Sequence, residues 1–278
     1  MNSTVKRTIF GVLFLAVMLG GLLFHEILYT ILFAFITFVM LKEFYSMTMG
    51  EAYKQSQRSA TVGGVIFFLS ANSYFFGGFH LTSLVGMGLL VIFLLMVESI
   101  FTYKENDEFL KTGYLYAGLL YIGLPLALSN AVVSRTGEFS GLLMVAFFCI
   151  IWASDVGAYC FGMLLGQKSW SKKMCPAISP KKSWAGFWGG MLMAMLSGAI
   201  LYWTGLFAFP IWHCLIVSAL MHVTGVLGDL FESLWKRSTG VKDSGNLIPG
   251  HGGLMDRFDS ALFAIPTGFI YLLLFDLV

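Results

Sequence analysis

Between Gly228 and Asp259 the sequence GDLFESLWKRSTGVKDSGNLIPGHGGLMDRFD sets carboxylates, cations and glycines at spacings that chemistry on a phosphate needs. Asp229, Glu232, Ser233 and Lys236 recur at intervals that put two carboxylates, a hydroxyl and an ammonium on one helical face. Lys242 and Asp243 precede Gly245. Pro249, Gly250, His251, Gly252 and Gly253 then form a turn whose missing side chains would let backbone amides approach an anion. Asp256, Arg257 and Asp259 follow at the head of an apolar run, where a helix N-terminus favours a carboxylate. Any one of these groups could be a cap or an ion pair. Together they fit Mg²⁺ on a nucleoside triphosphate, because Mg²⁺ takes hard oxygen ligands, usually one or two protein carboxylates plus substrate phosphates. Lysine and arginine would offset the remaining phosphate charge. The reaction class implied is phosphoryl or nucleotidyl transfer.

Two further groups lie upstream. Asp155, in WASDVGAYCFG, sits at the end of an apolar stretch, and a carboxylate left in hydrocarbon costs about 2.5–3.5 kcal/mol, so it should face a polar cavity or a partner. Tyr159, four residues on, shares its helical face and could bring a hydroxyl to the same place. In SPKKSWAG, Pro180 disfavours a helical conformation at Ser179, and Ser179, Lys181 and Lys182 could hold a phosphate. A lysine pair before a membrane helix also serves as an anchor for anionic headgroups.

The elements that must position these residues are read from composition. Of 278 residues 58% are hydrophobic and 12% charged, where a soluble domain carries about 25% charge. The expected fold is therefore all-α and polytopic, one membrane domain over 1–278, with about nine spans of roughly 20 residues. They run from Thr8 to Phe24, Ile27 to Tyr45, Ser59 to Phe76, Leu81 to Thr102, Gly113 to Val133, Ser140 to Gly162, Trp184 to Thr204, Phe209 to Val226 and Phe258 to Leu277. His25 and Glu26 alone separate the first two, which could form a tight hairpin or one bent element. Lys6 and Arg7 precede an apolar run with no small-residue cleavage pattern, so that run reads as a retained helix.

With this span order, all of the 17 Lys and Arg residues except Arg135 fall on one face, which the positive-inside rule makes cytoplasmic. The N-terminus is then cytoplasmic and the C-terminus lies on the opposite side. The N-terminal helices, 1–135, hold few ionisable groups, and connectors such as MTMGEAYKQSQRSATVG and YKENDEFLKTG read as solvated loops that anchor helix ends. Chemistry is expected in the C-terminal half, 140–278, with cytoplasmic loops at 163–183 and 227–257. Cys149, Cys160, Cys175 and Cys214 lack zinc-site spacing and read as buried small hydrophobes.

At Ser233, Lys236, Arg237, Lys242, Asp243, Gly245, Pro249, His251, Gly252, Gly253, Asp256, Arg257 and Asp259 the sequence resembles the phosphatidate cytidylyltransferase, or CDP-diacylglycerol synthase, family. Asp155 with Gly157, Ala158 and Tyr159 resembles that family's Asp-x-x-Ala-Tyr element, and SPKKSWAG resembles its Ser-Pro-Lys-Lys-Thr-Trp-Glu-Gly element, with Ala185 in place of the glutamate. If that carboxylate contributes to activity, the enzyme is slower, divergent in substrate, or compensated by Glu232.

The resemblance implies attack by a phosphate oxygen of phosphatidic acid on the α-phosphorus of CTP, releasing pyrophosphate and forming CDP-diacylglycerol. The nucleophile is already anionic, so the barrier lies in bringing two polyanions together and stabilising the leaving pyrophosphate. On this reading Asp229 and Asp256 hold one or two Mg²⁺ ions, or Mn²⁺ in their place. Asp155, Asp243 and Asp259 are second choices as ligands or as partners of the cations. Lys236, Lys242 and Arg257 contact phosphates, and Ser179, Lys181 and Lys182 help bind phosphatidate or the triphosphate. Glu232, Ser233, Arg237, Gly252 and Gly253 belong to the same substrate site, and His251 either donates to the leaving group or is structural. The acyl chains stay in lipid. The resemblance also implies a homodimer in a bacterial plasma membrane, with the active site facing the cytoplasm and no nucleic acid partner. The rival readings are a CTP-dependent polyprenol or phytol kinase, which transfers the γ-phosphoryl group, and a lipid or ion transporter, against which the one-sided charge and the absence of a repeat both argue.

Overall fold

A computed structural model of the chain describes residues 3–102, 108–135, 137–168, 171–247 and 252–278. His251, Pro249 and Gly250 lie outside the described residues, as does Lys104. The described chain is nearly all helical and forms two compact units, residues 1–141 with 239–257, and residues 142–238 with 258–278.

The first unit contains α1 (Ser3–Leu23), α2 (Glu26–Met49), α3 (Lys54–Phe75), α4 (Leu81–Phe101), α5 (Glu108–Gly118) and α6 (Leu124–Val133). His25 ends the ambiguity between hairpin and bent helix: its backbone is extended and its Nδ1 accepts from Ile27 N at 3.1 Å, so it caps a separate α2. α5 and α6 are joined by a π-helical turn, Leu119–Gly123, just ahead of Pro125, whose ring cannot sit over an ordinary i−4 carbonyl. Two short strands, β1 (Ser134–Arg135) and β2 (Glu138–Phe139), pair antiparallel after α6.

Tyr29, Phe33, Phe44, Tyr45 and Phe68 fill the core of this unit. The Tyr45 hydroxyl donates to Leu115 O at 2.8 Å, Tyr29 shares a hydrogen bond with Ser129 at 2.6 Å, and Asn72 donates to Asn130 at 3.1 Å. Such bonds between helices hold about 0.6 kcal/mol each where lipid is the solvent. Lys111 corrects the expectation of a solvated loop. It lies in α5, is only 2% exposed, and is bonded to Thr102 and 4.0 Å from Glu98, which also accepts from Ser56 at 2.6 Å.

The second unit contains α7 (Leu142–Leu164), a hairpin of β3 (Lys173–Cys175) and β4 (Ser179–Ser183), α8 (Trp184–Trp203), α9 (Ile211–Ser238), the one-turn α10 (Met255–Phe258) that bridges the boundary, and α11 (Ala261–Leu274). The expected loop over 163–183 thus contains a strand pair, and the expected loop over 227–257 is helix as far as Ser238. α7 and α8 approach closely at Gly189, where a Cβ would stand 2.3 Å from the Phe161 side chain. Phe147, Ile150, Met221, Phe258 and Leu272 make the core.

The expected spans fall on helical segments, the fifth on α5, the π-helical turn and α6 together and the ninth on the end of α10 and α11. Among the described residues, seven helical segments are long and apolar enough to cross a bilayer: Glu26–Met49, Leu81–Phe101, Leu110–Val133, Leu142–Leu164, Trp184–Trp203, Ile211–Ser238 and Met255–Leu274. The apolar part of α1, Thr8–Leu23, is shorter, and α3 carries Gln57, Arg58 and Asn72. Leu89, Phe93 and Trp188 expose about three fifths of their surface, 61%, 60% and 62%, which suits lipid and not water. The chain is a multi-pass membrane protein. Among the cysteines Cys214 is buried as expected, whereas Cys160 is exposed.

Candidate active site

The second unit holds a cavity of about 330 Å³, within the range of small-molecule sites. Asp155 and Tyr159 reach it from α7, Lys181 and Lys182 from β4, Asp229 from α9 and Ser260 from the turn before α11. The helix spacing of Asp155 and Tyr159 therefore delivers both to one wall. Ser183, at the end of β4, caps α8 by accepting from Gly186 N at 3.2 Å, which fixes the strand that carries the two lysines.

Lys182 Nζ stands 2.6 Å from Asp229 Oδ2 and 3.5 Å from Val226 O. Asp229 Oδ1 lies 3.4 Å from Ser233 Oγ, at the limit of a hydrogen bond. Asp229, Asp155 and Lys182 are all near enough to Asp259 to act on its charge. Two carboxylates, Asp155 and Asp229, and two ammonium groups, Lys181 and Lys182, thus line one partly open space, with Asp259 near them.

The helical face expected of α9 is present, but it divides. Asp229 lines the cavity, whereas Glu232, Ser233 and Lys236 are buried and do not. Glu232 is fully buried with Lys236 Nζ 3.1 Å from its carboxylate, so it does not replace at the cavity wall the glutamate absent at Ala185. Ser179 does not line the cavity; it pairs with Cys175 in the hairpin. Arg237 Nε donates to Ile178 O at 3.3 Å, tying α9 to the hairpin.

Within the first unit, signature residues gather around two carboxylates, Asp256 and Glu43. Asp256 Oδ2 accepts from Ser244 N at 3.0 Å, Ser244 Oγ at 3.0 Å and Gly253 N at 2.8 Å. Glu43, in α2, accepts from Leu254 N at 3.0 Å, Met255 N at 2.9 Å and Ser244 Oγ at 3.2 Å. Of the expected glycine turn, the Gly253 amide meets the chain's own carboxylate, Asp256. Lys242, Asp243 and Arg257 are exposed, and Asp243 lies beside Gly252.

Sequence reasoning missed Glu43, Ser244, Ser154 and His222. Glu43 follows Lys42 near the end of an apolar run, with no motif around it. His222 is buried in α9 and its Nδ1 is 2.7 Å from Ser154 Oγ, behind the cavity wall that Ser154 helps to form. For His222 the available signal was a polar residue within an apolar span.

Among the described residues no three Asp, Glu, His or Cys side chains converge to cage a metal ion. Mg²⁺ keeps several waters and completes its shell with one or two carboxylates and substrate phosphates. The cavity's separated carboxylates, set among lysines, fit a metal that arrives with a triphosphate.

Over residues 5–275 the chain matches the cytidylyltransferase family, and it belongs to that family. It is 31% identical to a phosphatidate cytidylyltransferase of Staphylococcus saprophyticus over 94% of this chain and 95% of the relative. A Staphylococcus epidermidis protein of the same name is 32% identical over 95% of each chain. One from Bacillus subtilis is 37% identical over 67% of this chain and 64% of its own length.

Proposed function

We propose that this chain is a phosphatidate cytidylyltransferase that converts CTP and phosphatidic acid to CDP-diacylglycerol and pyrophosphate. The observation that carries the reading is the Lys182–Asp229 pair at the wall of a cavity also lined by Asp155 and Lys181, in a chain similar along nearly its whole length to enzymes of that name.

The lysines supply the positive charge that two polyanionic substrates require. Lys182 is held by Asp229 and can turn from that carboxylate to an incoming phosphate. Lys181, one residue away on the same strand, would take a second phosphate. Asp229 and Asp256 are the proposed ligands of Mg²⁺, or of Mn²⁺ in its place, Asp229 by its position in the cavity and Asp256 by its place in the signature. Bound there, the ion would neutralise triphosphate charge and stabilise the departing pyrophosphate. Asp155 and Asp259 would orient Lys182 or complete the ligand set. Phosphatidate's phosphate is already ionised, so none of these side chains has to remove a proton.

The same proposal has nine spans crossing a bacterial plasma membrane, the N-terminus and the active site on its cytoplasmic side, the C-terminus on the opposite side, and two copies of the chain in a homodimer. It is tested with purified protein in mixed micelles containing phosphatidic acid, Mg²⁺ and CTP labelled at the α or the γ position. The α label is expected in the lipid, with pyrophosphate released and turnover lost in Asp256→Ala. A γ label in a lipid alcohol would replace the reading with a kinase, and no turnover from folded protein would favour transport.

A further inference from the structure

We propose that Glu43 is a positioning residue for nucleotidyl transfer: from α2 it clamps Ser244 and the backbone of residues 254 and 255 in the arrangement that holds Asp256. The inference rests on the reading of Asp256 as a ligand of the metal–triphosphate group.

Glu43 lies next to Phe44 and Tyr45, which are fully buried in the first unit, so its backbone is firmly placed. Its two carboxylate oxygens are used separately. Oε1 accepts from Leu254 N, and Oε2 accepts from Met255 N and Ser244 Oγ. Asp256 Oδ2 takes the neighbouring amides, Ser244 N and Gly253 N, and is also within reach of Ser244 Oγ. A serine hydroxyl has one proton, so Ser244 serves one carboxylate at a time and couples the two. Four backbone amides and one hydroxyl are therefore organised by two acids, one of them about 200 residues away in sequence.

The signature's glycines follow from this arrangement. A Cβ on Gly245 would meet Glu43 Oε1 at 2.6 Å, and one on Gly253 would meet Glu43 Oε2 at 2.6 Å. Gly252 has a φ of +81°, and a Cβ there would lie 2.7 Å from Asp256 Oδ2. Capping one short helical turn requires only a local serine or aspartate. A carboxylate from a distant, buried helix does more, because it fixes where the turn sits relative to α2 and so limits the rotation of Asp256.

Glutamine in place of Glu43 keeps the size but cannot keep the contacts. Whichever way its amide is turned, the NH₂ faces an N–H donor, either Leu254 N or Met255 N. In detergent-solubilised Glu43→Gln, hydrogen exchange at residues 253–255 is expected to be at least tenfold faster. The half-saturating Mn²⁺ concentration, read by electron paramagnetic resonance, and the half-activating Mg²⁺ concentration should both rise at least tenfold. The KM for phosphatidate should stay within twofold. Glu43→Asp, one methylene shorter, should recover part of the metal affinity, and it decides by the same readings if Glu43→Gln does not fold. Metal affinity and turnover within twofold of wild type would overturn the proposal, whether or not exchange is faster. Asp256→Ala run in parallel separates the two readings. If it binds Mn²⁺ and turns over like wild type, the assignment of Asp256 falls; if it fails while Glu43→Gln behaves as wild type, only the role of Glu43 falls.

Discussion

Asp229 and Asp256 are carboxylates of one charged stretch, Gly228 to Asp259, yet the contacts described for them differ. A cation 2.6 Å away meets Asp229 at a cavity wall, whereas Asp256 Oδ2 accepts from two backbone amides and a serine hydroxyl. An ion pair beside a partly open cavity is exchangeable: a triphosphate can take the lysine, and Asp229 is then released to a metal. Amide bonds inside a tight turn do not exchange without moving the backbone. Side-chain chemistry should therefore dominate variants of the cavity, and backbone geometry should dominate variants of the turn.

The largest expected effect is at Lys182. Lys182→Ala removes the charge facing the incoming phosphates and leaves Asp229 without its cation. Losing one preorganised electrostatic partner of a transition state costs about 10²–10³ in rate, so kcat/KM for CTP should fall by that order. Lys182→Arg should restore part of it by keeping the charge. If steady-state kinetics show Lys182→Ala within threefold of wild type, the exchangeable pair has no part in the reaction and the contrast with Asp256 collapses.

A smaller loss is expected from Gly252→Ala, which tests the turn with no change of charge. A non-glycine residue held at a φ of +81° costs of order 1–3 kcal/mol, and the added methyl would press on Asp256 Oδ2. Turnover should drop about tenfold, since 1.4 kcal/mol is a factor of ten. The half-activating Mg²⁺ concentration should rise while KM for phosphatidate holds. A variant that loses only phosphatidate affinity would place the turn at the lipid substrate instead of at the triphosphate.

The cavity was legible in the sequence because its parts are polar residues at recurrent spacing. Asp155 and Tyr159 share a helical face, Lys181 and Lys182 sit together, and Asp229 opens a run of charge at the end of an apolar helix. The helix continued to Ser238 because the periodicity of Asp229, Glu232, Ser233 and Lys236 outlasts the hydropathy that marked the span's end at Val226. The β3–β4 hairpin was not legible: KMC and SPKKS are too short and polar to alternate, and a proline sits in one strand. Glu43 was missed for a different reason. Its role depends on a contact with residues 254 and 255, and such a separation leaves no local pattern. Lys111 shows the same limit, since charge beside an apolar run reads as a solvated loop until Glu98, Ser56 and Thr102 are brought around it by tertiary packing.

The smallest expected effect marks the edge of the cavity's machinery. Arg237 belongs to the signature, but the contact seen for its Nε is the Ile178 carbonyl in the hairpin turn, at 3.3 Å. Ser179 and Lys181 follow that turn on β4, so Arg237 acts on the strand that delivers the lysines, while the cavity wall itself is made by others. Arg237→Ala should forfeit one hydrogen bond of a charged donor, roughly 1.5–3 kcal/mol at most, and less where the arginine is exposed to water. The melting temperature should fall by about 2–4 °C for a chain of this size, and kcat should stay within about threefold. A fall as large as that of Lys182→Ala, with an unchanged melting temperature, would move Arg237 from support of the hairpin to direct contact with a phosphate.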